Sequence, residues 1–297
     1  MIMMEHPENS EEYKGLTVNA GIEQPSIVNP YLKFRKKPRR REFSVSEFEP
    51  VAFELKIDND GEIPAYEIEL RDGGTLKIKG SIDRVDVMTQ KDEAFVRVVD
   101  YKSGGKKFDL NEVFNGLNMQ MLIYLFAIWR SGFRDYKDIK PAGILYMPVN
   151  APYASVGRDE GEDEIQAQKQ KATKMSGMVL DDSRVIYAMD SRLSGDIVPA
   201  SVKKDGENSG TLISLKQMVL LMKRVEKILE DMAVSLHEGE IAVRPAFAQT
   251  TTSPYHDVCK YCDYKDVCGL DEDTKKKEIF KIKHDDSLRM LGGEDDA

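Results

Sequence analysis

Apolar and polar residues alternate along the first half of the chain in the way that β-strands require. Polar links typical of turns, such as Asp58-Asn59-Asp60-Gly61, separate the alternating stretches. The pattern predicts about four strands, at residues 48–57, 65–70, 76–88 and 94–102. The last two form an antiparallel hairpin across a short polar link, and Ala142–Val149 is predicted as a further, buried strand.

The alternation changes phase inside the third of these strands. Apolar residues up to Ile82 share one parity, whereas Asp83, Val85 and Val87 share the other. Either both faces of the strand are covered or a bulge near Asp83 turns this side chain toward a site. Gly80 fits a bend or a close backbone approach.

Helical periodicity follows the hairpin. Asp109 is a candidate N-cap with Glu112 three residues later, and an apolar stripe runs from Val113 to Ile128. We therefore predict one helix over this stretch. A second, longer amphipathic pattern runs from Ile213 to Leu236, and we expect it to pack on the sheet rather than form a coiled coil.

Polar side chains interrupt two of these apolar patterns. Asp100 and Lys102 end the strand face that begins with Ala94, Val96 and Val98, and buried charges are costly without partners or a function. Similarly, Gln120 lies in the apolar helix stripe, four residues before Tyr124 on the same face. The alternative interpretation is a surface salt bridge for Asp100 and Lys102, a satisfied core amide for Gln120 and a core residue for Tyr124.

In this order, Asp83, Asp100-Tyr101-Lys102 and Gln120-x-x-x-Tyr124 resemble the PD-(D/E)XK nuclease superfamily in its RecB-like branch. The stretches 48–148 and 239–268 are most similar to the nuclease domain of AddB-type helicase–nuclease subunits. The resemblance implies an α/β (α+β), restriction-endonuclease-like core of αβββαβ order. In such a core a central mixed sheet is flanked by helices, here with a cysteine-containing C-terminal extension. The initial helix of that core is not visible upstream of Phe48.

The resemblance also implies roles for these residues. Asp83 and Asp100, with the main-chain carbonyl of Tyr101, would bind Mg²⁺ or Mn²⁺, a hard cation that prefers oxygen ligands. Lys102 would stabilise charge near the attacking water, and Gln120 and Tyr124 would orient the water or the substrate.

Three cysteines lie close together near the C-terminus, at Cys259, Cys262 and Cys268. By resemblance they would supply three of the four ligands of a structural [4Fe–4S] cluster. No cysteine precedes Cys259 to act as the fourth. We favour a missing upstream region as the reason; the alternatives are a ligand such as His256 or a site that no longer binds a cluster.

Composition adds limits to this interpretation. The 297 residues carry a net charge of −9, so DNA binding would depend on local basic patches such as Lys33–Arg41 or on a partner. Neither a signal-peptide pattern nor an apolar run long enough to span a membrane is present, which favours a cytoplasmic protein. We expect five segments: 1–47 irregular and basic, 48–149 nuclease core, 150–212 insertion, 213–270 helix and cysteine region, and 271–297 charged tail.

These observations favour a metal-dependent DNA nuclease, with single-strand exonuclease activity in the processing of double-strand breaks for recombination. No Walker A motif occurs, so unwinding would depend on a helicase partner subunit. The alternatives are a non-catalytic or incomplete DNA-binding module of such a complex, and a stand-alone RecB-like exonuclease of the CRISPR-associated type.

Overall fold

The structure is a computed structural model of the chain. It describes residues 2–5, 42–71, 73–103, 107–149, 161, 172–248, 256–257, 259, 262–264, 266–269, 277–279 and 282–292. The basic segment Lys33–Arg41 and much of the expected insertion and tail lie outside the described residues.

The strands, in chain order, are β1 Ile2–Glu5, β2 Glu49–Ile57, β3 Tyr66–Glu69, β4 Thr75–Ile78, β5 Gly80–Gln90, β6 Glu93–Lys102, β7 Ile139–Pro148, β8 Ser176–Leu180, β9 Ala200–Val202, β10 Asn208–Gly210, β11 Leu212–Ile213, β12 Ala246–Ala248, β13 His256–Asp257 and β14 Lys277–Ile279. The helices are α1 Leu110–Phe114, α2 Gln120–Ser131, α3 Ser183–Met189, α4 Leu215–His237 and α5 His284–Gly292.

A mixed six-stranded sheet forms the centre of the fold, with the strand order β11-β8-β7-β6-β5-β2. Strands β2, β5 and β6 pair antiparallel as a meander, and β6 then pairs parallel with β7. Helices cover this sheet, which confirms the expected fold class. The predicted β5–β6 hairpin is also confirmed, since Arg84 to Gln90 pair in register with Val99 to Glu93.

Both faces of the central sheet are buried. This is one of the two explanations that the sequence offered for the phase change near Asp83. One face carries Val96 and Val98 of β6 and packs on α2 and α4, while the other face carries Phe95 and Val99 and packs on α3. The faces differ because successive strand residues point in opposite directions. The predicted alternation of β6 is thus confirmed, with an apolar core on each side of it.

The stretch 76–88 is not one strand, as predicted, but two strands that divide at Lys79. The first part, β4, lies in a small antiparallel sheet between β1 and β3, while β5 enters the central sheet. The sequence pattern missed the division because β4 and β5 are both apolar on alternate positions and no turn sequence separates them.

The single helix predicted from Asp109 to Ile128 is also two helices. Asp109 caps α1 as expected, accepting a hydrogen bond from Asn111 N–H. The chain then leaves the helix through Gly116 and Asn118, which have φ angles of 81° and 53°. The Asn118 side-chain amide donates to the Glu112 carboxylate, so this carboxylate fixes the turn before α2 begins.

Parts of the expected insertion and tail belong to the packed structure. Strand β8, inside the stretch 150–212, pairs with β7 in the central sheet. Its residues from Gly177 to Leu180 are buried. In the tail, β14 pairs with β12, and Leu291 of α5 is buried in the core. Among the described helices, none combines the length and the apolar character needed to cross a membrane.

Helix α4 confirms the second helical prediction. Ser214 caps it with a capping box to Gln217, and the helix ends one residue before Glu238. It buries Met218, Leu221 and Val225 in the core beside the sheet, as expected for packing rather than a coiled coil.

Candidate functional site

The predicted residues meet where β5 and β6 leave each other. The main-chain N–H of Tyr101 donates a 2.9 Å hydrogen bond to Asp83 Oδ2, and this bond joins the start of β5 to the end of β6. Regular pairing of the two strands begins one residue later, at Arg84 and Val99. The Asp83 carboxylate thus occupies the place that a ladder hydrogen bond would otherwise take.

Asp100 and Lys102 form the second part of the site. Lys102 Nζ lies 2.6 Å from Asp100 Oδ2. The Lys102 side chain is 30% exposed to solvent, and the Asp100 side chain is 12% exposed. The ammonium is close enough for an ion pair but not aligned for a hydrogen bond, so Oδ2 is buried without a donor. A carboxylate oxygen of this kind is suited to a cation.

The electrostatics at Asp83 favour the same assignment. Burial raises the pKa of Asp83, and the nearby Asp100 and Glu54 carboxylates raise it further, while the Tyr101 N–H and Lys102 lower it. Neighbouring carboxylates whose negative charges repel one another are stabilised when a cation neutralises that charge. Burial and the Asp100 and Glu112 carboxylates likewise raise the pKa of Tyr146, whose ring lies 5.9 Å from Lys102 Nζ.

Glu54 is a site residue that the sequence pattern did not reveal. Its neighbours Phe53 and Leu55 pair with Arg84 and Ile82. Glu54 on β2 therefore lies opposite Asp83 on β5. Its φ angle is 50°, a left-handed conformation that is costly for a glutamate and is often found at functional sites. The only sequence signal was the polar residue itself inside an alternating strand.

The distortion at Glu54 also explains the rest of the phase change. Ala52 and Leu55 belong to the same core cluster although they are three residues apart on β2, and Val85 and Ile82 do so on β5. Both strands therefore switch faces together beside Glu54 and Asp83. No register shift lies at Asp83 itself; the shift in the pairing of β2 with β5 falls between Pro50 and Ala52.

Gln120 and Tyr124 are joined to each other and to the start of β5. Gln120 Nε2 donates a 2.9 Å hydrogen bond to Tyr124 Oη, with the glutamine exposed and the tyrosine buried. A Cβ atom at Gly80 would lie 2.6 Å from Tyr124 Cε1 and 2.7 Å from Cζ. Gly80 is therefore the close backbone approach that the sequence suggested, because only glycine leaves room for the phenol ring.

Arg84 and Asp86 lie on the opposite face of the sheet from Asp83. Arg84 Nε donates to Asp86 Oδ1 at 2.7 Å, and Arg97 Nε donates to Asp86 Oδ2 at 2.8 Å. Glu42 Oε1 accepts from both arginines, at 2.7 and 2.5 Å. These four residues, named here the buried charge cluster, are structural partners of the site rather than part of it.

The cysteines do not form a comparable site. None of Cys259, Cys262 and Cys268 is in a disulfide bond, and a turn joins the first two through a 3.2 Å bond from Cys262 N–H to the Cys259 carbonyl. Within the described part of the chain, no three His, Cys, Asp or Glu side chains are arranged to hold a metal ion. These three thiols could supply three of the four ligands that a [4Fe–4S] cluster takes.

The magnesium site expected from the sequence needs only two carboxylates, because Mg²⁺ usually keeps several waters and takes one or two carboxylates plus substrate phosphate. Asp83 and Asp100, whose Oδ2 is paired with the Lys102 ammonium, are two such carboxylates.

Comparison with known proteins gives the family. A model of the PD-(D/E)XK nuclease superfamily matches residues 8–269. The chain is 37% identical to the B subunit of the ATP-dependent helicase/deoxyribonuclease of Acetivibrio thermocellus, over 81% of this chain and 21% of the relative. The corresponding protein of Clostridioides difficile is 33% identical over 83% of this chain and 22% of the relative.

The corresponding protein of Clostridium tetani is 32% identical over 95% of this chain and 25% of the relative. The chain thus spans about a fifth to a quarter of the length of these curated relatives. The family match covers most of the chain and includes the strands that carry Asp83, Asp100 and Lys102. The chain therefore belongs to the PD-(D/E)XK nuclease superfamily.

Proposed function

We propose that the chain is a metal-dependent DNA nuclease that hydrolyses phosphodiester bonds in single-stranded DNA ends, as an exonuclease. The observation that carries the proposal is the pairing of Asp83 with the Tyr101 N–H beside the Asp100–Lys102 ion pair. This arrangement places two carboxylates and one ammonium together at the ends of two adjacent strands.

In this proposal Asp83, Asp100 and the Tyr101 carbonyl hold Mg²⁺ or Mn²⁺. When bound, the cation neutralises charge on the phosphate oxygens and lowers the pKa of a coordinated water. Glu54 adds negative charge on the far side of Asp83 and strengthens the attraction for the cation.

Lys102 acts on the phosphoryl group itself. Its ammonium is held by Asp100 and is partly exposed, so it can donate to a phosphate oxygen as negative charge develops there. The exposed Gln120 amide, fixed by Tyr124, can orient the attacking water. The water oxygen forms the new bond to phosphorus, the bond to the ester oxygen breaks, and the ester oxygen gains the proton that water loses.

The proposed setting comes from the relatives. Their names describe subunits of an ATP-dependent helicase/deoxyribonuclease, and we propose that this chain likewise acts beside a helicase subunit at processed double-strand breaks.

Cleavage of labelled single-stranded DNA by the full chain tests the proposal. We expect cleavage with Mg²⁺ or Mn²⁺, none with EDTA, and a loss of at least about 100-fold in Asp100→Ala and Lys102→Ala. The matched control is Lys140→Ala, which should cleave normally; Lys140 is a partly buried lysine on β7 that pairs with Asp138, the residue before this strand. Cleavage that survives in Lys102→Ala would reject the site assignment, while a folded chain with no cleavage would favour the non-catalytic binding module.

A further inference from the structure

A small basic cavity lies between α1, α4 and α5, apart from the proposed catalytic residues. It has a volume of about 210 Å³ and is lined by Phe114, Leu220, Lys223, Arg224, Lys227, Met290 and Leu291. Three of these residues are cationic and none is acidic, although the whole chain has 52 acidic residues and only 43 Lys and Arg. This local reversal of charge indicates an anionic ligand.

Two of the three cations, Lys227 and Lys223, differ in their surroundings. The Lys227 ammonium pairs with Glu230 at 3.4 Å and also with Asp231, so its charge is largely balanced. Lys223 is exposed at the rim, and the Arg224 side chain is half-buried next to it. Since the opposite face of α4 is buried in the core, these two side chains stand on a rigid support.

The apolar part of the cavity favours a nucleotide over a simple anion. Phe114 is half-buried, and together with Leu220 and Met290 it gives the cavity an apolar part against which a base can lie. Single-stranded nucleic acids are commonly bound by cations that contact phosphate together with side chains that contact bases.

The position of α1 relates the cavity to the candidate site. Glu112 of α1 faces the Tyr146 side of the site, where it raises the pKa of Tyr146, and Phe114 of the same helix lines the cavity. The cavity and the Tyr146 side of the site therefore both adjoin the same short helix.

We propose that this cavity binds one nucleotide of the single DNA strand, away from the phosphate that is cleaved. The phosphate contacts Lys223 and Arg224, and the base lies against Phe114 and Leu220. The inference rests on the proposed function, since it takes single-stranded DNA as the ligand.

Binding without cleavage tests the inference. The probe is a fluorescein-labelled oligothymidylate of about 20 nucleotides, titrated with the full chain in EDTA and followed by fluorescence anisotropy at several salt concentrations. We expect Lys223→Glu to weaken binding about 10-fold and to lower the salt dependence by about 0.7 per lost phosphate contact. Lys216→Glu makes the same charge change at an exposed position of α4 outside the cavity and should weaken binding less than about 2-fold.

The outcomes separate the cavity from the catalytic proposal. Equal effects of the two substitutions would overturn the cavity assignment, because they would reflect net charge alone. A wild-type chain that binds in the expected manner but never cleaves with Mg²⁺ would reject the nuclease proposal and leave the cavity standing. If Lys223→Glu melts earlier than the wild type, Lys223→Gln replaces it, with an expected loss of about 3-fold.

Discussion

The surroundings of Asp83 disfavour the negative charge of its carboxylate. Burial and the Asp100 and Glu54 carboxylates raise its pKa, so the folded chain holds the Asp83 proton more tightly than the unfolded chain. As the pH rises from the ordinary value of 3.8 through the raised pKa, ionisation costs folding free energy, and the cost persists at neutral pH. A residue that costs stability here is consistent with a role in binding a cation.

We therefore predict that Asp83→Asn makes the fold more stable and the enzyme inactive. The asparagine carbonyl can still accept the Tyr101 N–H, while the unfavourable charge is gone. Thermal melting at pH 7 without divalent cations should show a rise of about 2 °C or more, which disappears when the pH falls below the ordinary aspartate pKa. A lower melting temperature at pH 7 would contradict the interpretation.

Gly80 gives a second prediction at this scale. Gly80→Ala should reduce cleavage at least about 10-fold, because its Cβ would push the Tyr124 ring and with it the Gln120 amide. Combining it with Tyr124→Leu should cost no more than Tyr124→Leu alone, since the ring that clashes is then absent. Ser81→Ala, at the exposed neighbouring position, is the control, and additive losses in the double variant would exclude the steric explanation.

Among the elements, helix α4 carries leucines that differ widely in their burial and therefore in their expected contribution to stability. Leu221 is fully buried in the core, whereas Leu236 near the end of the same helix is 53% exposed. We expect Leu221→Ala to cost about 2–5 kcal/mol in the free energy of unfolding, measured by urea denaturation. Leu236→Ala should change it by less than about 0.5 kcal/mol, and equal losses would contradict this packing.

The sequence predicted elements well where one physical signal dominated. Alternation in β6 and amphipathic periodicity in α4 both specify a buried face, so they gave the strand of Asp100 and Lys102 and the long helix. The break between α1 and α2 was missed because the apolar stripe continues past Gly116, and the turn depends on a contact between Glu112 and Asn118.

Most of the candidate site was predictable, and the part that was not depends on pairing between strands. Asp100 and Lys102 stand out as charges at the end of an apolar strand face, and the resemblance to the nuclease superfamily adds Asp83. Glu54 becomes a neighbour of Asp83 only through the register of β2 on β5. Residue patterns along one strand do not specify which residue lies opposite on the next strand. A polar residue within β2 was therefore not enough to identify Glu54 as a neighbour of Asp83.

On the scale of the whole molecule, the buried charge cluster ties the chain before β2 to the back of the site. Glu42, at 1% exposure, is the member from outside the sheet, and Arg84 also places Nη1 3.3 Å from Tyr101 Oη. The cluster therefore joins the segment at residue 42 to the strands whose other face carries Asp83 and Asp100.

We predict that Glu42→Ala destabilises the fold by about 3–5 kcal/mol, because two buried arginines are then left with Asp86 as their only carboxylate in the cluster. The urea midpoint measures the effect, with Glu47→Ala as the control at an exposed position nearby. A change of less than about 1 kcal/mol in Glu42→Ala would show that the cluster is not a structural tie.

The distorted strand β2 has a consequence beyond the chemistry beside it. It forms one edge of the central sheet, and the opposite edge is the two-residue β11. An edge strand with regular backbone geometry is a template on which strands of other molecules add, and such addition leads to aggregates and fibrils. The register shift after Pro50 and the left-handed Glu54 interrupt that template. The same irregularity that brings Glu54 opposite Asp83 thus also protects the sheet from self-association.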